Sequence, residues 1–162
     1  MATRIATYRP RHPRRGASVL EMSIILAVFV VLTFGMLDLG MGVYRYHIIS
    51  NAARQGARQA IVHGANATTL GVWGPTTIGP VAANSSGVAI VDSTGDSDGR
   101  AGLKPLLYGC DLSQTNIKLE WIDSSNAIGK RVRCTVTSPY TPFMPFLSSV
   151  TLSAASTMPI AH

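Results

Sequence analysis

Few side chains in this sequence are placed to do chemistry. Cys110 and Cys134 are its only cysteines, able to cross-link or to remain thiols, and no Cys-x-x-Cys or Cys/His cluster suggests a metal site. The histidines His12, His47, His63 and His162 are scattered. A Gly-x-Ser-x-Gly elbow and a glycine-rich phosphate loop are both missing. Asp92-Ser-Thr-Gly-Asp96-Ser-Asp98-Gly99 invites a calcium reading, but it lacks the Asp-x-Asp-x-Asp-Gly spacing and the closing Glu of an EF-hand loop. A solvated surface turn is the better expectation. Nothing here argues for an enzyme, a cofactor or a bound metal.

The one ionisable side chain in an unusual setting is Glu21. It is alone among the 21 residues from Ala17 to Leu37. A carboxylate at mid-membrane costs about 2.5–3.5 kcal/mol, and less near an interface. Glu21 therefore either snorkels toward the nearby Arg14 and Arg15 or meets a specific partner.

The element that positions Glu21 is an apolar helix. At about 1.5 Å per residue the stretch Ala17–Leu37 spans roughly 31 Å, the thickness of a bilayer hydrocarbon core. A secretory signal has a shorter apolar run, about 7–15 residues, followed by a small-residue cleavage site, and no clean Ala-x-Ala follows here. Arg4, Arg9, Arg11, Arg14 and Arg15 precede the run and no further Arg or Lys occurs until Arg45, which sets the N-terminus in the cytoplasm. Asp38 marks the far end, and Tyr44, Arg45 and Tyr46 suit the opposite membrane–water interface. The chain is expected to cross the membrane once and to export everything after about residue 45.

Composition agrees. The 162 residues are 46% hydrophobic and only 14% charged, with a mean hydropathy of +0.23. That leaves room for one compact domain and one extra element. The net charge of +6 sits largely in the five N-terminal arginines; beyond them nine basic residues face eight acidic ones. No footprint for nucleic acid remains.

The string Arg14-Arg15-Gly16-Ala17-Ser18-Val19-Leu20-Glu21 resembles the processing site of type IV prepilins, with a basic leader, a Gly before the cut, Glu as fifth mature residue and then an apolar helix. The resemblance implies that a prepilin peptidase cuts between Gly16 and Ala17 on the cytoplasmic side. The cut would free an α-amino group at Ala17. That amine, on a neighbouring subunit or the same one, could neutralise Glu21 in a medium of low dielectric and set the register between packed helices.

Past Asp38 the helical pattern continues to His63, with Gly64 as its stop. Tyr46, Ile49, Ala53, Gly56, Ala57 and Ala60 form an apolar stripe, while Arg45, Arg54, Gln55, Arg58 and Gln59 occupy other faces. Gly35, Gly40 and Gly42 are the weak point, marking a bend, local melting or close packing in the membrane. Phe34-Gly35, Asp38-x-Gly40, Tyr44 and Asn51-Ala52-Ala53-Arg54-x-Gly56-Ala57-Arg58-x-Ala60 look like the TadE-like family of pseudopilins. The similarity returns in Val132-x-Cys134-x-Val136, Tyr140-x-x-Phe143-x-Pro145 and Leu152-x-Ala154-x-Ser156-Thr157-Met158. It departs from the family at Pro159 and has no match from about 66 to 110. The resemblance implies a minor component that initiates or caps a Tad (Flp-type) pilus in the bacterial inner membrane. Its partners would be other pilins and pseudopilins, Tad assembly-platform proteins, the prepilin peptidase and membrane lipid, with residues 17–60 as the main binding surface. The competing reading is an uncleaved single-pass protein whose exported domain binds a partner.

Five segments result: a leader (1–16), a transmembrane helix (17–38), its exported continuation (39–64), a turn-rich connection (65–113) and a sheet region (114–162). The connection is rich in Gly, Ser, Thr, Asn and Pro and has room for short strands near Val81–Ala83 and Val88–Val91. Thr115–Asp123 and Lys130–Thr137 alternate and read as a hairpin, with Ile117, Leu119, Trp121 and Val132, Cys134, Val136 facing inward. Pro139, Pro142 and Pro145 break the chain over an apolar loop, and Val150-x-Leu152-x-Ala154 reads as a third strand. The expected fold is α+β and pilin-like, a long helix packed on a small antiparallel sheet. In an exported domain of this size Cys110 and Cys134 are expected to bridge, closing a loop of about 25 residues worth roughly 3.5 kcal/mol. The alternative is two buried free thiols.

Overall fold

The computed structural model describes residues 15–67, 70–92, 102–144 and 148–161. The arginines before Arg15, the Asp96 and Asp98 carboxylates, Pro145 and His162 lie outside them. The chain divides into two compact units, Met1–Leu37 and Asp38–His162. Helix α1, Arg15–Val62, belongs to both and runs unbroken through Gly35, Gly40 and Gly42.

In the first unit α1 buries nothing. Its large apolar side chains from Val19 to Leu37 are exposed throughout, a surface that water would reject and hydrocarbon accepts. Two hydroxyls bond back within the helix: Ser23 donates to the Val19 carbonyl and Thr33 to that of Phe29, each at 2.8 Å. Such back-bonding is how Ser and Thr live where no water is available.

The second unit is the α+β body. Its four-stranded antiparallel sheet runs in the order β1 (Ile78–Ala82), β2 (Asn116–Trp121), β3 (Arg131–Tyr140), β4 (Val150–Pro159). The alternation in β2 and β3 works as expected: Ile117, Leu119, Trp121, Val132, Cys134 and Val136 are buried. They meet the stripe of Ile49, Ala52, Ala53, Ala57 and Ala60 on α1 in one core. Tyr46 is half-exposed instead of joining that stripe, and Gln59, placed on a solvent face by the pattern, is buried. The part of α1 in this unit lies antiparallel to β3. Tyr140 meets Asp38 at one end, and at the other the Ala161 N–H donates to the Ile61 carbonyl at 3.2 Å.

Two local expectations change. Val88–Val91 does not form a strand; Ala89–Asp92 is one helical turn, α2, that buries Ile90 and Val91. An apolar run this short fits either state, and the turn allows the Leu103 N–H to reach the Ile90 carbonyl at 3.0 Å. Pro139 does not break the chain but sits inside β3, opposite Thr151. Arg131 gives its carbonyl to Ile122 on the β2 side, so odd residues of β3 face β2 with their backbone. β2 pairs only as far as Thr137. The donor that Pro139 lacks would face a place where β2 has already ended. Gly79, φ +90°, marks an irregularity in β1 between Ile78 and Val81.

Candidate functional site

Gly16, Ala17 and Glu21 all lie on exposed turns near the start of α1. The four-residue step places Ala17 and Glu21 on one face. A side chain at Gly16 would meet nothing within 4 Å, so the fold itself makes no demand for glycine there. The structure leaves this face exposed.

At the other end of the apolar run the structure builds a site that periodicity alone does not show. Asp38 is the first residue of the second unit and is only 7% exposed. Its carboxylate accepts two consecutive backbone N–H groups of the β3–β4 loop, Phe143 at 2.7 Å and Met144 at 3.0 Å. The Tyr140 hydroxyl donates to the Asp38 carbonyl at 2.9 Å and lies 3.3 Å from the carboxylate. Burial first, and then the neighbouring Asp38 charge, push the Tyr140 hydroxyl up from its ordinary value, which keeps it a donor. The Tyr140 ring packs over Gly42, 3.6 Å from where a Cβ would stand. The Arg45 guanidinium covers the ring at 5.3 Å from its centre. Asp38, Gly42 and Arg45, at steps of four and three, thus hold the loop to one face of α1. The signal for this was present as two fragments about a hundred residues apart, Asp38-x-Gly40 and Tyr140-x-x-Phe143. No periodicity links them.

Cys110 and Cys134 are both free thiols. The expected bridge is not formed, and of the alternative, two buried thiols, only Cys134 is fully buried. Cys134 points from β3 into the helix–sheet seam, where its Sγ would lie 2.6 Å from a Cβ on Gly56. The sulfur is used as packing there. Burial pushes its thiol up to about 12, and only a thiolate reacts readily. In folded protein an alkylating reagent should therefore modify Cys110 and spare Cys134 until denaturant is added. A chain two hydrogens light by non-reducing mass analysis would contradict this.

Among the described residues no group of three or more His, Cys, Asp or Glu is assembled to hold a metal ion, and the candidate calcium loop falls mostly outside them. Asp92 is described, and its carboxylate accepts the Gly87 N–H at 2.8 Å, closing a local turn.

Comparison with known proteins gives one match. Residues 16–58 fit the family model described as TadE-like protein. The match covers most of α1, including Gly16, Ala17, Glu21 and Asp38, and stops short of the sheet, so the C-terminal similarity lies outside it. No curated protein and no solved structure matches the chain.

Proposed function

We propose that this chain, TadE-like over residues 16–58 and related through that segment to Tad-pilus membrane proteins, is a membrane-anchored minor pseudopilin. It takes part in initiating or capping a Tad/Flp-type pilus by packing its helix against those of other pilins. The observation that carries this reading is the first unit: a continuous apolar helix with every large side chain exposed and one carboxylate, Glu21, near its start. A helix of that composition needs lipid or other helices around it. The sheet covers Ile49, Ala52, Ala53, Ala57 and Ala60 in the second unit, so the surface left for partners is residues 17–37 with the outward face beyond. That narrows the 17–60 surface expected from the pattern.

On this reading the N-terminus is cytoplasmic, the second unit is exported across the inner membrane, and a prepilin peptidase cuts between Gly16 and Ala17. Gly16→Leu should leave a precursor that keeps its 16-residue leader, by N-terminal mass spectrometry of isolated membranes. The open space around Gly16 means the substitution disturbs no packing in the fold, so retention reports processing. A wild-type chain that still begins at Met1 would favour the uncleaved single-pass alternative.

A further inference from the structure

Along β3 and β4 the charged side chains gather at one end. The β2–β3 turn end of the second unit carries Asp123 and Arg131, joined by a 2.9 Å ion pair, with Glu120, Lys130 and Arg133 close by in sequence. The Asp123 carboxyl is held at about 2 by the Arg131 guanidinium and N–H. The opposite end is the β3–β4 loop, and from Cys134 to Ala161 the chain contains no Asp, Glu, Lys or Arg at all. The loop end displays large apolar side chains outward: Phe143 is 79% exposed, and Val150, paired with Tyr140, is 52% exposed. Asp38 ties this end to the helix through the Phe143 and Met144 amides. Asp38 follows Leu37, the last residue of the apolar run, with no residue between them.

We infer that the β3–β4 end of the second unit is a lipid-binding surface, seated in the headgroup region of the bilayer that α1 crosses. The inference rests on the reading that residues 17–37 span the membrane, and it adds a second contact with lipid to that span. The chemistry favours lipid as the occupant. Covalent continuity fixes Asp38 at the level where hydrocarbon ends, so backbone bonded to Asp38 lies at the same level. A charge-free loop with an outward phenylalanine loses free energy in water and gains it a few ångströms into the acyl boundary. Tyr44 and Tyr46, half-exposed, lie about 9 and 12 Å further along α1, where amphipathic rings settle among headgroups. The ion pair and the remaining charges at the other end of the sheet face water.

The test places tryptophan at four positions of the full chain, each reconstituted in phosphatidylcholine–phosphatidylglycerol vesicles with or without bromine on the acyl chains near the headgroups. Buried Trp73 and Trp121 supply a constant background. Phe143→Trp keeps the backbone N–H that Asp38 holds, and Val150→Trp probes the same end independently should the first variant fold poorly. Ile128→Trp, on an exposed position in the β2–β3 turn, probes the charged end, and Phe29→Trp probes the span. The expected result is that brominated lipid removes the added emission at 143, 150 and 29 and leaves that at 128. Quenching at 29 without quenching at 143 and 150 would overturn the loop assignment alone. Equal quenching at 128 and 143 would also overturn it, since the unit would then touch lipid without orientation. No quenching at 29 would remove the membrane span, and this inference with it.

Discussion

Cells whose only copy carries Glu21→Gln should insert and process the protein normally and yet assemble no pili. Glutamine keeps the size of the side chain and removes its charge. If Glu21 merely tolerated the membrane, losing a charge would ease insertion or leave it unchanged. If it pairs with the amine freed at Ala17 of a neighbour, the substitution strands an ammonium in a poor solvent. Breaking a buried pair typically costs about 3–5 kcal/mol, which shifts an association equilibrium by roughly two to four orders of magnitude. The variant should therefore lose co-purification with other pilins while its mass and membrane fraction match wild type. Normal piliation would leave Glu21 as an interface residue with no partner. The exposed Ala17–Glu21 face is what makes the experiment clean, because neither side chain supports the fold of the second unit.

The second large effect lies in the core. Gly56→Leu should lower the stability of the second unit by about 3 kcal/mol or more, a shift of on the order of 10 °C in Tm. A bare Cβ at this position would already stand 2.6 Å from the Cys134 Sγ and 2.9 Å from the Leu103 Cδ1. Both neighbours are fully buried and have nowhere to retreat. Better helix propensity returns up to about 1 kcal/mol, which is too little to offset the collision. Emission from buried Trp73 and Trp121 would follow the unfolding of detergent-solubilised protein. Replacing the sulfur by hydrogen in Gly56→Ala/Cys134→Ala should recover stability relative to Gly56→Ala. Unfolding of Gly56→Leu at the wild-type temperature would mean that helix and sheet are not packed as described.

How much of this was legible beforehand depends on the range of the interaction concerned. The apolar run, the β2–β3 hairpin and β4 follow from period and composition, because each is decided by neighbours in sequence. The α+β arrangement follows from them, since an amphipathic helix and a one-faced sheet have only each other to cover. Pro139 misled because a proline reads as a break unless the length of the neighbouring strand is known. Val88–Val91 misled because four apolar residues have no distinguishable period. Asp38 was visible as a boundary, but its hydrogen bonds to residues 143 and 144 require knowing which loop arrives there. The bridge between Cys110 and Cys134 was inferred from compartment, and compartment says nothing about which way a side chain points. Cys134 points at Gly56.

The antiparallel course of α1 and β3 also has a kinetic consequence. On the proposed topology the second half of the helix is the first part of the body to leave the membrane. The residues that cover its stripe, Val132 to Ala154 and then Ile160, are among the last. Until then Ile49, Ala53 and Ala57 lack the β3 and β4 part of their core, and the loop that must close, from α1 to β4, spans about a hundred residues. Closing loops of that length is slow compared with forming a helix or a hairpin. The hairpin of β2 and β3 can form by itself, but the body becomes one cooperative unit only when β4 arrives and the Ala161 N–H reaches Ile61. On that topology export and folding are sequential, and a partner that binds the folded body must wait for β4.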